Sequence, residues 1–293
     1  MRRDILSTAA TLLLAAAAPA QIQVGQVTND YVDVMAFRVK PDRRADFDAI
    51  VKQMVEANRQ NQGDRWIAWE TSYGEWQSVY FTAFHPNYAS IEQSGESFRS
   101  AMTKAVGPEG LAKMLQDFNQ TVVSGRAEIR TRRLDLSNNV PAEPAARAKD
   151  VGSARWLRTT IVRVRAGHTA DYEAMLRTIK TAYDRAMLSR ARYVSQSSAG
   201  ERGAVFYVSS IGRGLSDLQS LPPLADVLGR DGYQRYLSVA KEAVLSTEVI
   251  ILRALPELSN PPEEVVAAAP EFWRPPPPPP PAKPKAAKKK KKQ

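Results

Sequence analysis

Two side chains in the first third of the chain stand where acid–base chemistry is commonly mounted: Glu70 in AWETSY and His85 in TAFHPNY. Glu70 alternates with Trp66 and Ala68 along a strand-like run, so the three share one face of a pleat. If that face turns inward, Glu70 is a buried carboxylate with a raised pKa and a candidate general base. If it turns outward, Glu70 is an ordinary solvated acid. His85 lies where a strand runs into a loop, a frequent mount for binding groups, and histidine's near-neutral pKa suits proton transfer. A structural or surface role is the alternative. The second of the two histidines, His168, falls at a helix start and reads as solvated. Around Glu70 stand Trp66, Trp69, Tyr73, Trp76 and Tyr80, which offer stacking surface to an apolar or aromatic small molecule, or else fill a core. Arg38 and Arg163 follow apolar strand residues at matching places. They can anchor an anion or simply pair with neighbouring acids. The candidate ligand-binding set is therefore Trp66, Trp69, Tyr80 and Arg38, with Glu70 and His85 as candidate catalytic groups.

Whole classes of chemistry are excluded by what is missing. With no cysteine there is no disulfide, thiolate zinc site, iron–sulfur cluster or cysteine nucleophile. No GxGxxG, P-loop, GxSxG or HExxH motif occurs, so neither metal nor cofactor is expected. The formal charge of +10 over 293 residues is lopsided, because the last twenty residues hold seven Lys, one Arg and no acid. The remainder is close to neutral.

The ends carry signals of their own. Residues 1–20 begin with Arg2-Arg3, continue through an apolar run from Ile5 to Ala18 and end in Ala18-Pro19-Ala20. That pattern fits a secretory signal peptide cleaved after Ala20, and its apolar run is short of the roughly 20 residues a membrane-spanning helix needs. The expected location is the periplasm or the cell exterior; the arginine pair leaves general or twin-arginine export open. Residues 260–293 read as a disordered tail, with Pro275–Pro281 a polyproline rod of about 22 Å and Lys283–Lys292 a cationic brush. Such a brush binds anions, and export favours an envelope polymer or membrane surface over nucleic acid. Nucleic-acid binding requires that the N-terminus is not cleaved.

Between the ends the chain repeats itself. FRVKPDRRADF (Phe37–Phe47) lines up with VRVRAGHTADY (Val162–Tyr172), Val79-Tyr80-Phe81 with Val205-Phe206-Tyr207, and EGLAKML from Glu109 with DGYQRYL from Asp231. Residues 31–137 and 155–259 are thus two copies of one unit joined by a linker, 138–154, of tether-like composition. In each copy a β-branched, aromatic run (31–39; 157–165) precedes an amphipathic helix marked by Phe47, Ile50, Val51, Met54 and Val55, or by Tyr172, Met175, Leu176, Ile179 and Tyr183. A hairpin follows (66–72 with 78–84; 192–197 with 204–210). Next comes a helical region (88–122; 215–245) with Leu111, Leu115, Phe118 and Val122 on one face, and then a last strand (127–134; 248–255). The order β-α-β-β-α-β is ferredoxin-like, an α+β arrangement that leaves one sheet face bare.

On the passages Phe37–Phe47 and Val162–Tyr172 and the hairpin Trp69–Phe81, the chain resembles the dimeric α/β barrel superfamily, which includes antibiotic-biosynthesis monooxygenase-type and NIPSNAP-type domains. The resemblance implies two units packed sheet to sheet into a barrel, here within one chain, with a ligand pocket between sheet and helices. Family members include cofactor-independent oxygenases, isomerases, haem enzymes and proteins of no known activity, and no catalytic set carries over to this chain. A haem axial role for His85 finds no supporting residues around it. Three functions stay open: an exported binding protein for a small molecule that tethers to anionic envelope material through its tail, a cofactor-independent enzyme of the monooxygenase or isomerase type using Glu70, His85 and the first copy's aromatics, and, with an uncleaved N-terminus, a nucleic-acid-binding protein.

Overall fold

In a computed structural model, residues 30–187, 190–219 and 222–275 are described. The expected signal peptide, residues 1–20, and the Pro/Lys-rich run beyond residue 275 lie outside them. The first half forms β1 (Tyr31–Val39), α1 (Arg44–Gln60), β2 (Ile67–Tyr73), β3 (Ser78–His85), α2 (Tyr88–Thr121) and β4 (Val122–Arg132). After α3 (Pro144–Ser153) the same order returns as β5 (Trp156–Val164), α4 (Thr169–Arg185), β6 (Tyr193–Ala199), β7 (Ala204–Gly212), α5 (Leu224–Ala243) and β8 (Val244–Ala254). Two short helices, α6 (Glu263–Ala268) and α7 (Pro270–Trp273), follow. The helices obey the apolar spacing of the sequence. Phe47, Val51, Met54 and Val55 are the buried face of α1, and Tyr172, Met175, Leu176, Ile179 and Tyr183 that of α4. Helix α2 starts where the Asn87 side chain accepts from the Ser90 N–H at 2.9 Å, leaving one fewer unpaired amide in the first turn.

Three local expectations are corrected. The last strands begin at Val122 and Val244, several residues earlier than expected, because each helix passes into its strand with no loop between. On α2 the buried face runs through Met114 and Phe118, while Leu115 points to solvent. Both long helices break at a glycine with positive φ, Gly107 (74°) before Pro108 and Gly229 (66°). A residue with a Cβ is strained in that conformation.

The eight strands close into one antiparallel barrel in the order β1-β3-β2-β8-β5-β7-β6-β4. Each half contributes four consecutive strands, and the halves meet edge to edge, β2 on β8 and β4 on β6. The two sheets are therefore hydrogen-bonded into a single wall, which corrects the expectation that they stack sheet to sheet. Closure satisfies the edges that a separate sheet would expose. Partners across a ladder share a face, so Trp69, Tyr80, Ala254, Leu252 and Leu157 point one way, into the lumen. Ala68, Val79 and Phe81 point the other way, against α1 and α2, where Phe47, Met102 and Phe118 complete a core. The second half repeats this with Val162, Phe206 and Leu176.

The segment expected to be a tether and the first part of the expected tail, residues 260–275, are instead folded onto one mouth of the barrel. Helix α3 lies within 138–154 and packs on α6, and Asn260, expected in the tail, is fully buried and exchanges backbone hydrogen bonds with Trp66 at 2.9 and 3.0 Å. Val265, Val266 and Trp273 belong to the same apolar cluster as the lumen residues Trp69, Ile250, Leu252 and Ala254. The reason is burial: apolar side chains at helical spacing cover an apolar opening that would otherwise face water. Contact is close at Gly152, where an added Cβ would lie 2.3 Å from the Val265 carbonyl oxygen, and the Trp273 indole N–H donates to the Gly152 carbonyl at 2.7 Å. Trp273→Ala should therefore destabilise the fold by about 3–5 kcal/mol in chemical denaturation. Residues acting as a loose tail would show no change.

Candidate functional site

Strand alternation carries the expected site residues to different places. Trp66 and Ala68 turn toward the helices, and the Trp66 indole N–H donates to the Leu258 carbonyl at 2.8 Å. Trp69 and Tyr80 turn into the lumen, where the Trp69 indole N–H donates to the Thr82 hydroxyl at 3.1 Å. Tyr73 and Trp76 are exposed. Arg38 is half exposed and pairs with Glu75 at 3.5 Å. No common pocket unites these groups, and none of the principal cavities is lined by Trp69, Glu70 or Tyr80.

Glu70 faces outward between two cations. Its carboxylate accepts from Arg44 Nη2 at 2.9 Å and, on the other oxygen, from Arg253 Nε at 3.1 Å and Arg253 Nη2. Burial opposes ionisation, but the hydrogen bonds from Arg253 and Arg44 outweigh it and hold the carboxyl below its ordinary value. A carboxylate so held is a poor proton acceptor, so the geometry makes Glu70 a structural link between β2, α1 and β8 and removes the ground for a general base.

The lumen beyond Trp69 is filled. Glu128 of β4 is fully enclosed, accepts from Arg130 Nη2 at 2.6 Å and from the Tyr207 hydroxyl, and Arg130 stacks 3.5 Å from the centre of the Tyr207 ring. Burial disfavours the Glu128 anion, yet Arg130, Tyr207 and Arg126 together hold its carboxyl low. Arg126, Arg130 and Tyr207 all converge on this one carboxylate, and Arg130 Nε is left enclosed without a partner among the described residues.

His85 has different surroundings. It is the last residue of β3 and is 8% exposed; its Nε2 is enclosed without a hydrogen-bond partner. An unpaired buried polar atom of this kind costs about 1–3 kcal/mol, so something must compensate it or the site must use it. Two cavities share His85, Phe84 and Pro262 in their walls. The smaller, about 220 Å³, is lined by Asp64, Trp66 and Ser94; the larger, about 510 Å³, runs between the strand ends and the α3–α6 cap and is lined by Arg132, Arg147, Val151 and Val265. Asp64 accepts from the Ser94 hydroxyl and from the Arg65 N–H at 2.7 Å. Burial raises the pKa of both Asp64 and Asp33, with the charge of His85 acting the other way on each. Of the residues singled out in the sequence, Trp66 and His85 meet here.

The rest of this site was missed. Arg132 closes a run, Arg126, Glu128, Arg130, Arg132, that alternates with Ala127, Ile129 and Thr131. The period of two is legible, but a charged face is ordinarily assigned to solvent, whereas here it turns into the barrel. Asp30 and Arg147 lay outside the repeats, and no local signal marks them. A further groove of about 420 Å³ between α4 and α5, lined by His168, Met175, Leu228 and Tyr236, holds none of the unpartnered buried polar atoms found among the described residues. Among those residues there is also no cluster of metal-ligating side chains and no helix long and apolar enough to cross a membrane.

No family model matches the chain, and no curated protein sequence matches it. Solved structures do. An anthrone oxidase-like protein is similar at 11% identity over 78% of this chain and 92% of that one, with a TM-score of 0.48. A candidate monooxygenase of Lactobacillus acidophilus is similar at 10% identity over 77% and 94%, TM-score 0.44. Chlorite dismutase from Candidatus Nitrospira defluvii is similar at 11% identity over 83% and 96%, TM-score 0.42. Nothing about the chemistry of this chain follows from likenesses so distant.

The Glu70 assignment has a pH signature. Because the folded-state pKa is depressed, the stabilisation is fully present above the ordinary carboxylate range and is lost as pH falls through the folded value. Glu70→Gln should therefore lose about 1–2 kcal/mol at neutral pH, a figure discounted for the exposure of Arg253, and the gap to wild type should close in acid. An undiminished gap at low pH would refute the ion-pair role.

Proposed function

We propose that this protein is a small-molecule-binding barrel whose site is the pair of adjoining cavities around His85, at the mouth covered by α3 and α6. The observation that carries this reading is the enclosed imidazole whose Nε2 has no partner, shared by two cavities. The larger volume falls within the range of roughly 300–1,000 Å³ typical of ligand pockets. Acid–base chemistry by His85 is the second reading. It rests on the same nitrogen, with Asp33 and Asp64 within electrostatic reach, and it no longer involves Glu70.

The halves are best read as a tandem duplication. Each shifts register at the same point of its first strand, between Arg38 and Val39 and between Arg163 and Val164, and each breaks its second long helix at the equivalent glycine. Export of the chain and electrostatic tethering through Lys283–Lys292 complete the proposal, on the sequence alone. The full chain should cosediment with anionic vesicles at low salt and release at high salt, and removal of the lysines should abolish the effect. Retention at high salt would contradict tethering by charge.

Thermal melting of the full chain against a library of small organic molecules tests the site. Binders at about 100 times their dissociation constant should add about 2.7 kcal/mol, raising the midpoint by several degrees. His85→Phe should abolish those shifts and Glu70→Gln should leave them intact. Shifts that survive His85→Phe would place the site elsewhere.

A further inference from the structure

The larger cavity has a charge imbalance that specifies its occupant. Arg132 ends β4 with its side chain 10% exposed, and its only ionic partner among the described residues is Asp30, at 3.5 Å. The same Asp30 oxygen already accepts from Arg147 Nη2 at 2.7 Å. Arg147 is held further by the carbonyls of Pro141, at 3.1 Å, and Ala142. Arg132 has no such bonds: around its guanidinium stand the rings of Phe84 and Tyr193, with centroids 5.6 and 5.8 Å away. Two buried guanidinium groups thus face one carboxylate. The other acid on this cavity, Glu264, is exposed at the rim and screened by solvent. A buried cation without full compensation is costly, and an anion supplied from outside relieves that cost.

The remaining wall is the His85 imidazole and apolar surface: Phe84, Pro86, Ala148, Val151 and Val265. A cavity with an under-paired guanidinium and an unpartnered imidazole nitrogen in its wall, and otherwise mainly apolar surface, matches an amphiphilic anion. The planar guanidinium fork fits a carboxylate in two parallel hydrogen bonds, a geometry that neutral head groups cannot complete. A compact, strongly hydrated ion such as inorganic phosphate would leave the apolar wall in contact with water.

We propose that this cavity binds a small apolar monocarboxylate, with the acid group on Arg132 and the hydrocarbon or aromatic body between Phe84 of the barrel and Val151 and Val265 of the cap. This rests on the small-molecule reading above and names its ligand class. Arg132 is then the residue that determines specificity, and the cap formed by α3 and α6 is one wall of the binding site.

Calorimetric titration of the full chain with 3-phenylpropionate and octanoate, with their neutral amides and with inorganic phosphate, tests it. At least one acid should bind, its amide at least tenfold more weakly, and phosphate not measurably. Arg132→Gln should remove the preference for acid over amide. Ala145→Trp, an exposed change at the cavity rim, should block both without touching the core, so the test survives if Arg132→Gln fails to fold. Acid and amide binding equally would overturn the carboxylate assignment and leave the small-molecule reading standing. Binding unaffected by Ala145→Trp would place the ligand elsewhere and overturn the proposal. No binding by any probe, acid or amide, would overturn both readings.

Discussion

Closing a sheet into a barrel removes its edges but leaves two open ends, and an apolar lumen cannot end in water. That constraint organises this molecule. One mouth presents one end of each strand, the end of β4 at Arg132 and of β3 at His85 among them, and the chain covers it with α3 from between the halves and α6 and α7 from after them. The covering helices are short, and α6 is too brief to hold together by itself. They are ordered by what they bury: Val265, Val266 and Trp273 join the lumen's own cluster, and Gly152 lets α3 come into contact with the Val265 carbonyl. The larger cavity exists only because this cover stands against the strand ends, leaving Arg132 and His85 between barrel and cap.

The two charged regions of the barrel differ in the space beside them. Around Glu128, Arg130, Arg126 and Tyr207 converge on one carboxylate and the ring of Tyr207 takes the face of Arg130, while Arg130 Nε stays without a partner among the described residues. Such a network holds its charges mainly against one another. At the capped mouth the accounts do not match. Arg132 shares its acid with a better-bonded Arg147, and His85 Nε2 has no partner. Unmet polar capacity beside open volume is what a binding site retains in the absence of its ligand.

Much of the architecture was legible in the residues. Period-two and period-3.6 patterns located all eight strands and the four long helices, and the internal match of Phe37–Phe47 with Val162–Tyr172 located the two halves. Both repeats lack a loop before their last strand, which hid the onset of β4 and β8 by a few residues. What could not be read was which face of each strand turns inward once the halves join edge to edge. Trp66, Trp69 and Glu70 are adjacent in sequence yet end in a helix-facing core, a filled lumen and an outer ion pair. His85 was legible because a histidine at a strand end is conspicuous. Asp30, Arg132 and Arg147 were not, because their meeting depends on a linker that composition describes as a tether and burial turns into a lid.

The central claim is that the mouth around His85 is a ligand site, and the chain's two histidines make it directly observable. A long-range ¹H–¹⁵N correlation spectrum of the imidazole nitrogens resolves His85 from the half-buried His168, which pairs with Asp171 at 3.0 Å. On saturation with the tightest-binding small molecule, the account predicts that the His85 nitrogen signals move and those of His168 stay. Movement of neither, or of His168 alone, would contradict it.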